Sequence, residues 1–146
     1  MDIHLDTLLG LPYATVFTCY QKAGFIILKL DLINEGINCH HCQTYTDKLH
    51  EDRPILVRDL SICGQKVYLQ VPRRQFECPN CQKTSTERLS FLETRRRYTV
   101  RYEEYIYERV KELTAEQVSQ NEDLSPKIVT SIFQRMASRK KRLGTT

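Results

Sequence analysis

Four of the six cysteines form two identical spacings, Cys39-His40-His41-Cys42 and Cys78-Pro79-Asn80-Cys81. Two thiolates three positions apart, at the tip of a tight turn, can chelate one metal from one side. A second such turn brought opposite completes a tetrahedral sulfur site, which suits zinc. The spacing therefore predicts one structural Zn2+ held by Cys39, Cys42, Cys78 and Cys81. A lone CxxC also reads as a redox dithiol, but that chemistry needs a reactive thiolate at a helix start, and neither pair opens a helical pattern. His40, His41 and His50 are near enough to replace a ligand, although exposed loop positions suit them better. Glutamine follows each second cysteine (Gln43, Gln82), where glycine would ease the turn. Cys19 and Cys63 have no partner at ligand spacing and read as small residues in or near strands.

Strands must deliver these turns. Ala14 to Tyr20 and Phe25 to Ile33 read as a hairpin around Lys22-Ala23-Gly24, the second strand alternating Ile27, Lys29, Asp31 against Leu28, Leu30, Leu32. Ile55 to Ile62 and Lys66 to Val71 read as a second hairpin around Cys63-Gly64-Gln65. Pro72 has no amide to donate and predicts an edge or bulge just before Arg73-Arg74-Gln75-Phe76. On this reading the hairpins carry the two cysteine knuckles, as in a zinc ribbon. So small a β module leans on its metal, which contributes on the order of 10–16 kcal/mol in finger peptides.

After Thr94 the period changes to that of helices. Tyr102, Tyr105, Ile106, Val110 and Leu113 mark a first one, and Thr114-Ala115-Glu116-Gln117 has the form of a capping box for a second. Ser125-Pro126 opens a third, with serine as the cap and proline in the first turn. That helix is expected to bury Ile128, Val129, Ile132, Phe133 and Met136. Lys127, Thr130, Ser131, Gln134, Arg135 and Ser138 then lie on its other side. Three helices with a tight turn before an amphipathic third fit a helix-turn-helix, whose last helix presents side chains to the major groove. Lys127, Thr130, Ser131, Gln134 and Arg135 are types that contact bases or phosphates. An ordinary solvated helix face would show the same polarity. The flanking runs Arg95-Arg96-Arg97 and Arg139-Lys140-Lys141-Arg142 supply the charge that favours double-stranded DNA as the partner. Arg73 and Arg74 either join that face or flank a knuckle.

The chain has 146 residues, 22 Lys+Arg against 18 Asp+Glu and a net charge of +4. This length excludes a (β/α)8 barrel of roughly 250 residues. Residues 1–94 hold 10 basic and 11 acidic groups and residues 95–146 hold 12 and 7, so the excess is C-terminal. Within the second part, residues 95–133 cancel and the net +5 belongs to residues 134–146. The acidic start Met1-Asp2-Ile3-His4-Leu5-Asp6 is unlike a signal peptide, and the longest clean apolar run, Phe25 to Leu28, is far short of a bilayer span of ~20 residues. The expectation is a soluble, cytoplasmic protein with reduced cysteines and no membrane contact.

These residues resemble the N-terminal region of bacterial insertion-sequence transposases of the ISL-three family. The likeness is carried by Cys39-x-x-Cys42, Val57-Arg58-Asp59-Leu60, Gly64-Gln65-Lys66-Val67-Tyr68-Leu69, Arg73-Arg74-Gln75-Phe76-Glu77-Cys78-Pro79-Asn80-Cys81, Thr86-Glu87-Arg88 and the helical segment 98–137. The resemblance implies a zinc ribbon and helix-turn-helix that recognise the element's terminal inverted repeats. It also implies a following RNase-H-like catalytic domain with three metal-binding acidic residues. Too few residues follow the third helix for such a domain, and Asp31, Asp59 and Asp123 read as surface or capping residues. The expectation is an α+β protein, with a β-hairpin zinc-ribbon domain at 1–94 and a helix-turn-helix domain with a basic tail at 95–146. Its expected role is to bind DNA in association with full-length transposase or as a homodimer, without being catalytic alone. A protein-interaction or dimerisation module, or a small transcriptional regulator, is the competing reading.

Overall fold

The computed structural model describes residues 3–144; the chain ends Met1, Asp2, Thr145 and Thr146 lie outside the described residues. The backbone divides into two compact units, Met1–Arg97 and Tyr98–Thr146. The first runs through α1 (Ile3–Leu9), β1 (Ala14–Lys22), β2 (Phe25–Leu32), β3 (Ile37–Asn38), β4 (Tyr45–Thr46), β5 (Leu49–Asp52), β6 (Ile55–Ile62), β7 (Gln65–Val71), β8 (Arg74–Glu77) and β9 (Thr84–Thr86). The second holds α2 (Val100–Glu112), α3 (Ala115–Glu122) and α4 (Pro126–Arg142). The architecture is mixed α+β, β-rich first and helical after.

Both predicted hairpins form, and they join edge to edge. The order is β1-β2-β7-β6, with β2 and β7 parallel and Phe25 opposite Lys66. Alternation decides which face is buried: Val67, Leu69 and Val71 of β7 point the same way as Leu28 and Leu30 of β2. Val16, Val57, Leu9, Phe91 and Leu92 complete this core. The β6–β7 turn is two residues long, and Cys63 (φ 50°) and Gly64 (φ 75°) both take the left-handed backbone that a type I′ hairpin requires. The short α1, absent from the sequence reading, is tied down by its own Asp6. That carboxylate accepts from the Thr15 hydroxyl and the Val16 amide, both at 2.7 Å, and these two bonds hold it below the ordinary carboxyl range.

Pro72 ends β7, and the chain re-enters as β8 in a different sheet, ordered β5-β8-β9. Here the expectation needs correcting. The long hairpins do not carry the knuckles; each knuckle caps a short hairpin of its own, β3/β4 and β8/β9. Two-residue strands are too short to show a period. Gly36 marks how tight the first is: a Cβ there would stand 2.2 Å from the Thr46 carbonyl oxygen and 2.7 Å from the Tyr45 hydroxyl. Gly36→Ala is expected to force the hairpin open at a cost of about 2 kcal/mol. The check is a lowered thermal midpoint of the zinc-loaded protein.

In the second unit every predicted cap is present. Thr99 accepts from the Tyr102 amide, Thr114 and Gln117 form the reciprocal capping box, and Ser125 accepts from the Ile128 amide with proline in the first turn. Asp123 closes α3 in the left-handed region (φ 56°) and so makes the tight turn into α4. The core is Tyr102, Ile106, Tyr107, Val118, Val129, Ile132 and Met136. Two predicted core residues are exposed, Ile128 and Tyr105; the Tyr105 hydroxyl donates to Glu122. The basic run 139–142, expected as a tail, is the last turn of α4, where cations suit the helix dipole.

Candidate metal centre and helix-turn-helix face

The two knuckles are copies of one local design. In the first, the Cys39 amide donates to the Thr44 carbonyl and the Gln43 amide to the Cys39 carbonyl. In the second, the Cys78 amide donates to Lys83 and the Gln82 amide to Cys78, with all four bonds at 2.8–2.9 Å. This folding puts Gln43 (φ 66°) and Gln82 (φ 63°) in the left-handed region, so the strain read from the missing glycines is present in both turns.

Folded so, the four sulfurs converge. Cys39 Sγ lies 3.6 Å from Cys81 Sγ, Cys42 Sγ lies 3.5 Å from Cys78 Sγ, and all four fall within 4.8 Å of one another. A tetrahedron with Zn–S bonds of ~2.3 Å has sulfur–sulfur edges of ~3.8 Å, so the donor set fits a zinc ion. The surrounding dipoles fit it too. Amides of His41, Asn80 and Cys81 point at Cys39 and Cys78 sulfurs at 3.3–3.5 Å, as second-shell donors to thiolates do. The Cys42 and His41 amides, in that order, hold the Cys39 thiol below its usual range. The Thr44 hydroxyl, then the Asn80 side chain, bring Cys42 down to about 5. At Cys81 the Lys83 amide pulls downward, but burial and the three neighbouring sulfurs outweigh it and push the thiol up to about 11. A metal cation reverses that penalty by taking the place of the proton.

The three histidines remain outside this set. His40, His41 and His50 are exposed, and His50 Nδ1 stands 4.0 Å from Glu77 Oε2. Partial burial of the His40 ring, and then the nearby Arg88, lower its pKa. Cys19 and Cys63 are free and exposed.

The arginines divide in a way the sequence reading did not foresee. Arg74 serves the fold: its guanidinium makes two parallel bonds to Glu87 (2.8 and 2.9 Å) and a third to the Asn34 carbonyl, with its side chain 14% exposed. It clamps β8 to the segments on either side of the ribbon, which settles the alternative left open for it against a free contact. Arg73 is exposed. Arg95, Arg96 and Arg97 belong to the first unit, not the helical one, because the Arg58 amide of β6 donates to the Arg97 carbonyl at 2.8 Å. With the break at 97/98, each unit carries a net +2, so the C-terminal charge asymmetry disappears. Asp59, expected at the surface, is buried in β6, while Asp31 is exposed and Asp123 is the cap described above.

On α4, Lys127, Thr130, Ser131 and Gln134 are exposed together with Ser138. Arg135 turns inward and pairs with Glu103 of α2, a carboxylate with none of its surface accessible. Glu122 is also buried and accepts from the hydroxyls of Tyr102 (2.9 Å) and Tyr105 (3.1 Å). These two acids, unmarked in the sequence reading, knit the three helices together. A signal existed: Glu103 lies three residues before Ile106, and Arg135 three after Ile132, so opposite charges border the two apolar stripes.

A family model for the zinc-finger of transposase IS204/IS1001/IS1096/IS1165 matches residues 35–81, which contain both knuckles. A second, for the helix-turn-helix domain of transposase family ISL3, matches residues 87–137, which contain α2, α3 and most of α4. The chain belongs to the ISL3 transposase family. Its zinc ribbon holds one structural Zn2+ on Cys39, Cys42, Cys78 and Cys81. In the family's helix-turn-helix, α3, the Asp123 turn and α4 form the motif itself. No curated protein and no solved structure matches the chain. Among the described residues, no helix is long and apolar enough to cross a membrane.

Proposed function

We propose that the chain binds double-stranded DNA and recognises the terminal inverted repeats of its insertion sequence, with α4 in the major groove. One observation carries this reading. The polar side chains that α4 leaves exposed are Lys127, Thr130, Ser131 and Gln134, and they begin in its first turn, the part of a recognition helix that meets base edges. Gln134 suits an adenine edge, Thr130 and Ser131 suit either partner of a pair, and Lys127 suits guanine or a phosphate. Arg135 is left out of the reading set because its guanidinium is engaged with Glu103. The zinc ribbon is structural in this account, and the activity assigned to the chain is recognition, not strand cleavage. Such a protein would work in the bacterial cytoplasm, at the nucleoid.

Single alanine substitutions at Thr130, Ser131 and Gln134 test the assignment. Each residue that reads a base is expected to lose about 1–3 kcal/mol of affinity for the inverted repeat, with little change on a scrambled duplex. Equal losses on both duplexes would reduce this face to phosphate contacts.

A further inference from the structure

The first unit holds a concave site that the helix-turn-helix reading does not use. Between the β7–β8 junction and the segment 86–97 lies a pocket of about 280 Å³. Its floor includes Val71 and Leu92, both buried in the core. Arg73, Arg88, Arg95 and Arg97 line it, all exposed. Among the described residues no carboxylate pairs with these four side chains. Of the two acids at the pocket, Glu87 is bound bidentately by Arg74 and Glu93 is engaged elsewhere. Arg95 is held in the left-handed region (φ 65°), an uncommon backbone for a residue with a side chain. Converging four uncompensated guanidinium groups on one cavity is unfavourable unless an anion neutralises them. Guanidinium is the group best shaped to fork onto phosphate oxygens.

We propose that this arginine pocket binds a phosphodiester of the nucleic-acid backbone, giving the first unit its own, sequence-independent contact to DNA. The apolar floor suits deoxyribose carbons, and no aromatic ring lines the pocket to stack a base. The inference rests on the DNA-binding reading but not on sequence recognition by α4. It changes the role of Arg95–Arg97 from a loose basic arm to part of a built site, and it adds Arg88.

The test uses the zinc-loaded full chain and a scrambled duplex, titrated across a salt series. Each phosphate contact contributes about −0.9 to the slope of log affinity against log salt. Replacing Arg88→Gln and Arg95→Gln together is expected to make that slope shallower by about 1.8. The Arg88→Lys, Arg95→Lys pair should restore it. Preference for the inverted repeat over the scrambled duplex should be the same in all three proteins, so a failure of α4 to read sequence would show separately, as no preference in any of them. An unchanged slope in the glutamine pair would overturn the proposal. Inorganic phosphate should displace the duplex no better than chloride at equal ionic strength. Saturable displacement that the glutamine pair abolishes would assign the pocket to a free phosphate ion and overturn it too.

Discussion

Removing the zinc, by chelation or by Cys78→Ser, is expected to melt β3–β5 and β8–β9 while the four-stranded sheet stays folded. Among the buried hydrophobic residues of segments 37–52 and 74–86, Phe76 is the one large side chain; the others are Cys39 and Cys78, which are ligands. That is too little apolar surface to offset the ordering of some two dozen residues at about 1–2 kcal/mol each. The sulfur site supplies the difference, since structural zinc contributes on the order of 10–16 kcal/mol in finger peptides. The sheet β1-β2-β7-β6 has its own core of Leu28, Leu30, Val57, Val67 and Leu69 and needs no metal. Hydrogen exchange resolves the two cases. Amides of 37–52 and 74–86 should lose protection in the chelated protein, and those of 55–71 should keep it. A Cys78→Ser protein that is metal-free yet protected throughout would contradict the structural role.

Arg135→Ala is expected to destabilise the helical unit by about 3 kcal/mol, near the low end for breaking a buried ion pair because the arginine side chain is 27% exposed. It withdraws a guanidinium from Glu103, which has no accessible surface. Lys127→Ala, one residue into the same helix and exposed, should leave stability within about 0.5 kcal/mol of the parent. Urea unfolding followed by helical circular dichroism measures both. Equal midpoints for the two variants would show that Arg135 behaves as a surface residue.

The parts of this molecule legible in the sequence are those fixed by neighbours along the chain. The CxxC knuckles, the β1/β2 and β6/β7 hairpins, the Thr114 capping box and the Ser125-Pro126 helix start each depend on a few consecutive residues, and each is present. Even the strain at Gln43 and Gln82 was readable, because a knuckle turn fixes the backbone sign whatever the side chain. The rest depends on residues far apart. The parallel pairing of β2 with β7 joins strands some forty positions apart, and nothing in either strand's alternation names its neighbour. The short knuckle strands carry no period at all. Arginine was the least legible residue type. Arg74 and Arg135 look like DNA contacts by composition, yet their carboxylate partners, Glu87 and Glu103, sit 13 and 32 positions away. The unit boundary moved for the same reason, since one amide on β6 recruits the arginine run to the first unit.

Recognition of a specific DNA sequence by α4 is most directly tested by the affinity of the zinc-loaded chain for its element's inverted repeat against a scrambled duplex of equal length and composition, at physiological salt. The account predicts a preference for the repeat of at least about 10³. Equal affinity for the two duplexes would contradict it.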